Sequence, residues 1–181
     1  MKNAYWKNIF TNWGKEQSET VTIIKKIPIF ANLKTKELEE VSKLLHDRIY
    51  KPDEYVFKRH APGEGMFIIH SGIINIIVGE SSGNSQVLAE LSNGDFFGEM
   101  ALLEDEVRSA AALAKDHTKL LGFFRSDLET LIEINPSLGN KILQNLSKVV
   151  CTRLRKTNEL LMDNQLKKKK KSWTMIKIIF N

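Results

Sequence analysis

Apolar positions along this chain repeat with two different periods, and the change of period divides it. Within residues 19–47, Leu38, Val41, Leu44 and Leu45 recur as one face of a helix. An earlier helical stretch is broken at the proline of Ile27-Pro28-Ile29-Phe30. The region therefore reads as helix, turn, helix, ending at residue 47. From 48 to 124 the pattern becomes short apolar runs. Strands are predicted over 48–51, 55–58, 66–70, 73–79, 86–91, 108–115 and 118–124. Turn signals separate them at Pro52-Asp53, Pro62-Gly63, Ser71-Gly72, Ser82-Gly83-Asn84 and Asn93-Gly94-Asp95. Strands this short and closely spaced suggest a sandwich or jelly roll. Helical spacing returns at 125–166. A helix over 127–134 stops before Asn135-Pro136, and the proline opens a second helix running to Leu166. The fold class is thus α+β with a mainly β core.

The last helix carries a repeat of its own. Leu143, Val150, Thr157 and Asn164 are seven residues apart, with Leu154 and Leu161 between them. That is a short a/d seam holding polar residues, and it suggests a parallel homodimer through 136–166. The alternative is one helix folded back over its own roll.

The stretch 96–114, FFGEMALLEDEVRSAAALA, carries the candidate chemistry. Glu99 and Arg108 each sit against an apolar run, where an ionised side chain is costly unless paired. A phosphorylated ligand resolves both. Gly98 lets backbone approach a ligand closely. The N–H groups of the helical turn opening at Glu99, Met100 and Ala101 would face an anion. Arg108 can grip phosphate oxygens in parallel, aided by the Ser109 hydroxyl ahead of Ala110. Glu99 can accept from a ribose 2′-OH, as acidic residues of dinucleotide folds do.

Phe97-Gly98-Glu99-Met100-Ala101-Leu102 followed by Arg108-Ser109-Ala110 resembles the phosphate-binding cassette of cyclic-nucleotide-binding domains. Catabolite activator proteins, protein kinase A regulatory subunits and gated channels carry such domains. IPIFANLKTKEL also matches the segment that precedes the family's β-roll. The resemblance implies an eight-stranded roll flanked by N-terminal helices and a long C-terminal helix. It implies a non-enzymatic receptor for cyclic AMP or cyclic GMP, with cyclic AMP favoured, signalling to an unnamed partner through that helix. It puts the base in a mostly apolar cleft of Ile76, Leu88 and Ala89, and sets Thr157 and Asn158 where a Thr–Ser pair contacts adenine. Asn158 departs from that pair. Asp53 replaces the usual turn glycine, in a geometry Asp tolerates. The opposing reading is a scaffold or anchor that keeps the roll and binds no nucleotide.

Charge and composition narrow this further. The net charge is +5, but residues 167–181 hold six lysines and no acid. Without them the chain has 21 basic and 22 acidic residues, and without residues 1–15 as well it has 18 and 22. A mildly acidic body argues against a nucleic-acid-binding surface. Only 15 residues follow Leu166, too few for a helix-turn-helix domain, so DNA binding is not expected. His46, His60, His70 and His117 lack metal-ligand spacing, so no metal is expected, and no nucleophile–base pair stands out. The apolar stretch 66–78 is interrupted by polar residues, and no secretory segment opens the chain, so a cytoplasmic location is expected. One cysteine, Cys151, is read as a half-buried helical thiol.

Three parts follow: an extension at 1–18, the binding domain at 19–166 and a tail at 167–181. In the extension, Trp6, Ile9, Phe10 and Trp13 share a helical face. It either packs on its own domain or meets a membrane or partner. In the tail, five lysines precede Trp173, Met175, Ile176, Ile178, Ile179 and Phe180. That composition suits shallow contact with anionic lipid or a partner, or else an unstructured end, a strand on a neighbour or a cloning remnant.

Overall fold

The structure, a computed structural model, describes residues 19–79 and 86–179, with side chains to residue 163. The extension at 1–18 and the turn at 82–84 lie outside the described residues. The chain divides into two compact units, residues 1–145 and 146–181.

In the first unit, helical residues 19–24 (α1) lead into a 3-10 turn, Pro28–Phe30, with proline at its start. Helix α2, Thr35–Ser42, follows. Glu37 of α2 accepts from the Lys34 amide and thereby caps the helix. The helical face ends earlier than its periodicity suggests. Leu44 and Leu45 donate to Val41 and Ser42 in tightened turns, and residue 46 already belongs to a strand.

Eight strands are found among the described residues: β1 His46–Tyr50, β2 Tyr55–Phe57, β3 Gly65–Ser71, β4 Ile74–Val78, β5 Gln86–Leu91, β6 Phe96–Phe97, β7 Ala111–Ala114 and β8 Thr118–Phe124. They form two four-stranded antiparallel sheets, ordered β1-β8-β3-β6 and β2-β7-β4-β5. Phe67, Ile69, Ile74, Phe97, Ala112, Ala114 and Leu120 form the core of the roll. Phe67 and Phe97 stack at 5.7 Å, and Phe57 completes the aromatic group. Asp53 takes a positive φ of 64°, the conformation its turn demands, and its amide donates to Ala114.

The sequence places a strand over 108–115, but β7 begins at Ala111. Backbone bonds explain the delay. His60 donates to the Arg108 carbonyl, Arg108 donates to Ala61, and Val107 bridges Pro62. Those bonds hold 106–108 against 60–63 and away from the β4 ladder.

Helix α3, Arg125–Ile134, starts two residues before the predicted 127, because Asp127 accepts from the Phe124 amide. Leu128 and Leu131 of α3, Leu138 and Ile142 beyond it, and Ile24, Ile27, Phe30, Leu38 and Val41 are buried apolar residues. Phe30 meets Phe123 edge-on at 6.0 Å, joining these helices to β8. Asn145 donates to the carbonyls of Ile29 and Ala31.

Helix α4 spans Pro136–Ile179, thirteen residues past the predicted end at 166. Lysine is a good helix former, and neither proline nor glycine follows Gly139, so the Lys run continues the helix. Residues 167–179 of the tail are helical rather than an unstructured end or a strand. In the second unit, residues 151–163 are all exposed, including Leu154, Leu161 and Met162. Cys151 is likewise exposed rather than half-buried. No helix among the described residues is long and apolar enough to cross a membrane.

Candidate functional site

The cassette is built from three backbone segments of the first unit. Strand β6 delivers Phe97 to the core. Gly98 then turns the chain at φ +77° and caps a 3-10 turn, Glu99–Leu102. A side chain at 98 would be strained at that φ, and its Cβ would stand 2.7 Å from Arg108 Nη1. Glycine is thus required by conformation and by the closeness of the guanidinium. The arm Glu104–Val107 brings the chain back to Arg108, beside the start of β3 at Gly65.

Arg108 is only 8% exposed. Its Nη2 donates to the Gly65 carbonyl at 2.7 Å and its Nη1 to the Gly98 carbonyl at 3.2 Å. The guanidinium lies 4.1 Å from the Phe57 ring centre, a cation–π contact. Its Nε is buried without a hydrogen-bond partner. A guanidinium has five N–H donors, so two are used and three remain. One unsatisfied buried N–H costs about 1–3 kcal/mol, which an incoming oxyanion would relieve. Burial pushes the Arg108 pKa down; Glu64 opposes this, Arg125 adds to it and Glu99 opposes it. Arginine begins so high that it stays charged.

Glu99 is 5% exposed, and its charge acts on the Arg108 guanidinium, opposing the effect of burial. Ala101 is buried, Met100 exposed, Ser109 exposed and Ala110 half-buried. Met100 and Ala101 extend the 3-10 turn, while Ser109 and Ala110 follow Arg108 in the chain. Gly98, Glu99 and Arg108 are thus brought together, with Ser109 and Ala110 adjoining by sequence.

The residues assigned to the base are spread more widely. Ile76 on β4 is half-buried against the core and pairs with Ala89 on β5. Leu88 is the extra residue of a bulge between Ala89 and Val87, and it is 66% exposed. Thr157 and Asn158 belong to the second unit, on the exposed part of α4. Thr157 Oγ1 donates to the Arg153 carbonyl one turn back.

Sequence reasoning missed Arg125. Its Nε donates to the Ala101 carbonyl at 3.0 Å, its Nη2 donates to Gly63, and its Nη1 pairs with Asp105 at 2.9 Å. A signal was present. Arg125 is the first residue of α3, where a cation opposes the helix dipole and needs another reason to be there. Gly65 was missed too. A Cβ there would stand 2.4 Å from the Phe123 carbonyl, so the close pairing of β3 with β8 excludes any larger residue. No group of three or more metal-ligating side chains occurs among the described residues.

Residues 47–135 match the family described as cyclic nucleotide-binding domain. The chain is 30% identical over 135 residues to the cyclic AMP receptor protein of Thermus thermophilus, covering 75% of this chain and 61% of that one. It is 31% identical over 147 residues to a cGMP-dependent protein kinase of Caenorhabditis briggsae, covering 72% of this chain and 19% of the kinase. The chain therefore spans less than two thirds of either relative. Among solved structures, a cyclic nucleotide-binding domain from Methylobacillus flagellatus superimposes with a TM-score of 0.71 at 25% identity, over 83% of this chain and 84% of that one. From this match and the eight-stranded roll, residues 47–135 are a domain of the cyclic nucleotide-binding type, which makes up just under half of the chain.

Proposed function

We propose that this chain is a non-enzymatic receptor for a cyclic purine nucleotide, held at the cassette, with cyclic AMP the preferred ligand. The observation that carries the reading is the buried Arg108 with an unpartnered Nε–H, seated beside Glu99. In this reading the cyclic phosphate takes the remaining guanidinium N–H groups and the amides opening the 3-10 turn. Glu99 accepts from the ribose 2′-OH. Ser109 and Ala110 border the phosphate. The base lies against Ile76, Leu88 and Ala89, and the family resemblance assigns Thr157 and Asn158 to it as well. Cyclic AMP is favoured over cyclic GMP by the match of Thr157 to an adenine-contacting threonine. One relative's name refers to cyclic AMP and another's to cGMP, so the similarities support the purine class.

Binding would be reported to a partner through α4. The exposed Leu154 and Leu161, seven residues apart, suit pairing of two copies through 136–166. Ligand can shift such an equilibrium only by its differential affinity for the two helix arrangements. Calorimetry of the full chain with cyclic AMP, cyclic GMP and a cyclic dinucleotide tests the reading. Saturable heat with a mononucleotide, strongest for cyclic AMP, is expected. Absence of heat with all three would leave the nucleotide-free scaffold as the better account.

A further inference from the structure

The proposed ligand site draws on nothing in α4 beyond Asn158, and residues 164–179 of the helix stand outside it. Their sequence is segregated along the helix axis rather than around it. Asp163 is the last acidic residue. Lysine then fills positions 167–171, and six of the eight residues 173–180 are apolar, with Lys177 the charged exception. The backbone is helical through 179. Successive positions of an α-helix are turned by about 100°, so five consecutive lysines are distributed around the whole circumference. The apolar positions 173, 175, 176, 178 and 179 are spread around the axis in the same way, and 176 and 178 fall about 160° apart. A helix lying in the plane of a membrane interface needs one apolar and one charged face. This segment has neither. It has a lysine collar followed by an apolar tip.

We infer that residues 167–179 anchor the chain tip-first to an anionic lipid surface, the collar meeting the headgroups and the tip entering beneath them. Charge complementarity identifies the surface. Residues 167–181 carry six lysines and no acid, whereas residues 16–166 carry 18 basic and 22 acidic residues. An anionic surface therefore attracts the tail and repels the body. The tip favours lipid over nucleic acid. A polyphosphate strand would engage the lysines alone and leave the apolar positions with nothing to cover them, and no arginine is present here to fork onto its phosphates.

The dimensions agree. Trp173 stands where collar gives way to tip, and indole rings concentrate at the level of the headgroups. Positions 173–179 rise about 10 Å, against a headgroup layer of about 6 Å and a hydrocarbon core of about 30 Å. The tip thus lodges at the upper boundary of one leaflet, where water still reaches the carbonyls of its last turn. Lys177 lies about 6 Å along the axis from Trp173, a depth from which a lysine stem can return its ammonium to the headgroups.

Flotation of the full chain with phosphatidylcholine vesicles containing about a third phosphatidylserine tests this. The chain should float with them, bind at least about tenfold more weakly to phosphatidylcholine alone, and release as salt is raised. Changing Lys167, Lys169 and Lys171 together to Gln should weaken binding at least about tenfold, and changing the same three to Arg should preserve it. Ile176→Ser and Ile178→Ser should each weaken binding about fivefold, by similar factors, because the tip is entered from all sides. In a Trp6→Phe, Trp13→Phe background, Trp173 fluorescence should shift to the blue and be quenched by brominated lipid. Thermal unfolding of the roll should be unmoved in every variant, which separates the readout from folding.

Equal binding to neutral vesicles, or indifference to the three Gln changes, overturns the proposal. Loss with only one of the two serine variants shows a helix lying flat and overturns the tip-first mode. Trp173 left in water overturns insertion, and duplex DNA binding without vesicle binding reassigns the lysines. The binding is expected with and without cyclic AMP, so this inference and the receptor reading stand or fall separately.

Discussion

The cassette and the distal part of α4, which the proposed receptor reading assigns to phosphate and base, are built differently. In the cassette, a positive-φ glycine and a buried carboxylate adjoin a buried arginine whose guanidinium donates to the Gly98 and Gly65 carbonyls. In residues 151–163 of α4, every side chain is exposed, and the Thr157 hydroxyl bonds within its own helix. The phosphate half is therefore prepared in advance, so ordering it costs little when ligand arrives. The base half carries no such preparation. Affinity should reside mainly in the cassette, and discrimination between bases, together with any signal, in the helix.

The largest break in that contrast is expected from Arg108→Ala. Loss of the charge-assisted bonds should weaken cyclic AMP binding at least about 100-fold, roughly 2.7 kcal/mol, by calorimetry. Next comes Gly98→Ala. Its strained φ and the crowding of Arg108 Nη1 should cost about 1–2 kcal/mol of stability, a fall of roughly 2–8 °C in Tm, and weaken binding with it. Glu99→Gln should reduce affinity about tenfold for cyclic AMP and much less for its 2′-deoxy analogue, sharpening the ribose assignment. Equal losses for both ligands would remove that role from Glu99. Thr157→Ala should have the smallest effect, changing the ratio of cyclic AMP to cyclic GMP affinities about threefold while leaving Tm unmoved.

A pH prediction concerns the anchored beginning of α4 rather than its exposed end. A hydrogen bond from Lys141 at 2.6 Å, helped by the Lys34 amide, holds the Glu37 carboxyl below its ordinary value. A depressed carboxyl contributes stability that is fully present above its unfolded pKa and is lost as pH falls through the folded one. Unfolding midpoints should therefore decline below about pH 4, and Glu37→Gln should flatten that part of the profile.

Much of the cassette was legible in the sequence because its requirements are local. Gly98 is needed at one turn, Glu99 follows it, and Arg108 returns within nine residues. Asp53 was legible for the same reason, as a residue that tolerates its φ of 64°. What stayed hidden depends on distant partners. Arg125 is defined by carbonyls 24 and 62 residues away, and Gly65 by the Phe123 backbone opposite it. The start of β7 was misread because the apolar run is continuous from Ala110, while the bonds from 60–63 that delay pairing leave no trace in hydrophobic pattern. The end of α4 was misread because lysine repulsion was weighted above lysine's helix propensity.

The most direct test of the central claim is the Arg108 Nε–H resonance, followed by nitrogen-15 NMR as cyclic AMP is titrated into the full chain and assigned by its loss in Arg108→Lys. The account predicts a saturable downfield shift, at one ligand per chain, as the buried N–H gains a phosphate oxygen. A resonance that stays in place while cyclic AMP binds elsewhere, or while none binds, would contradict it.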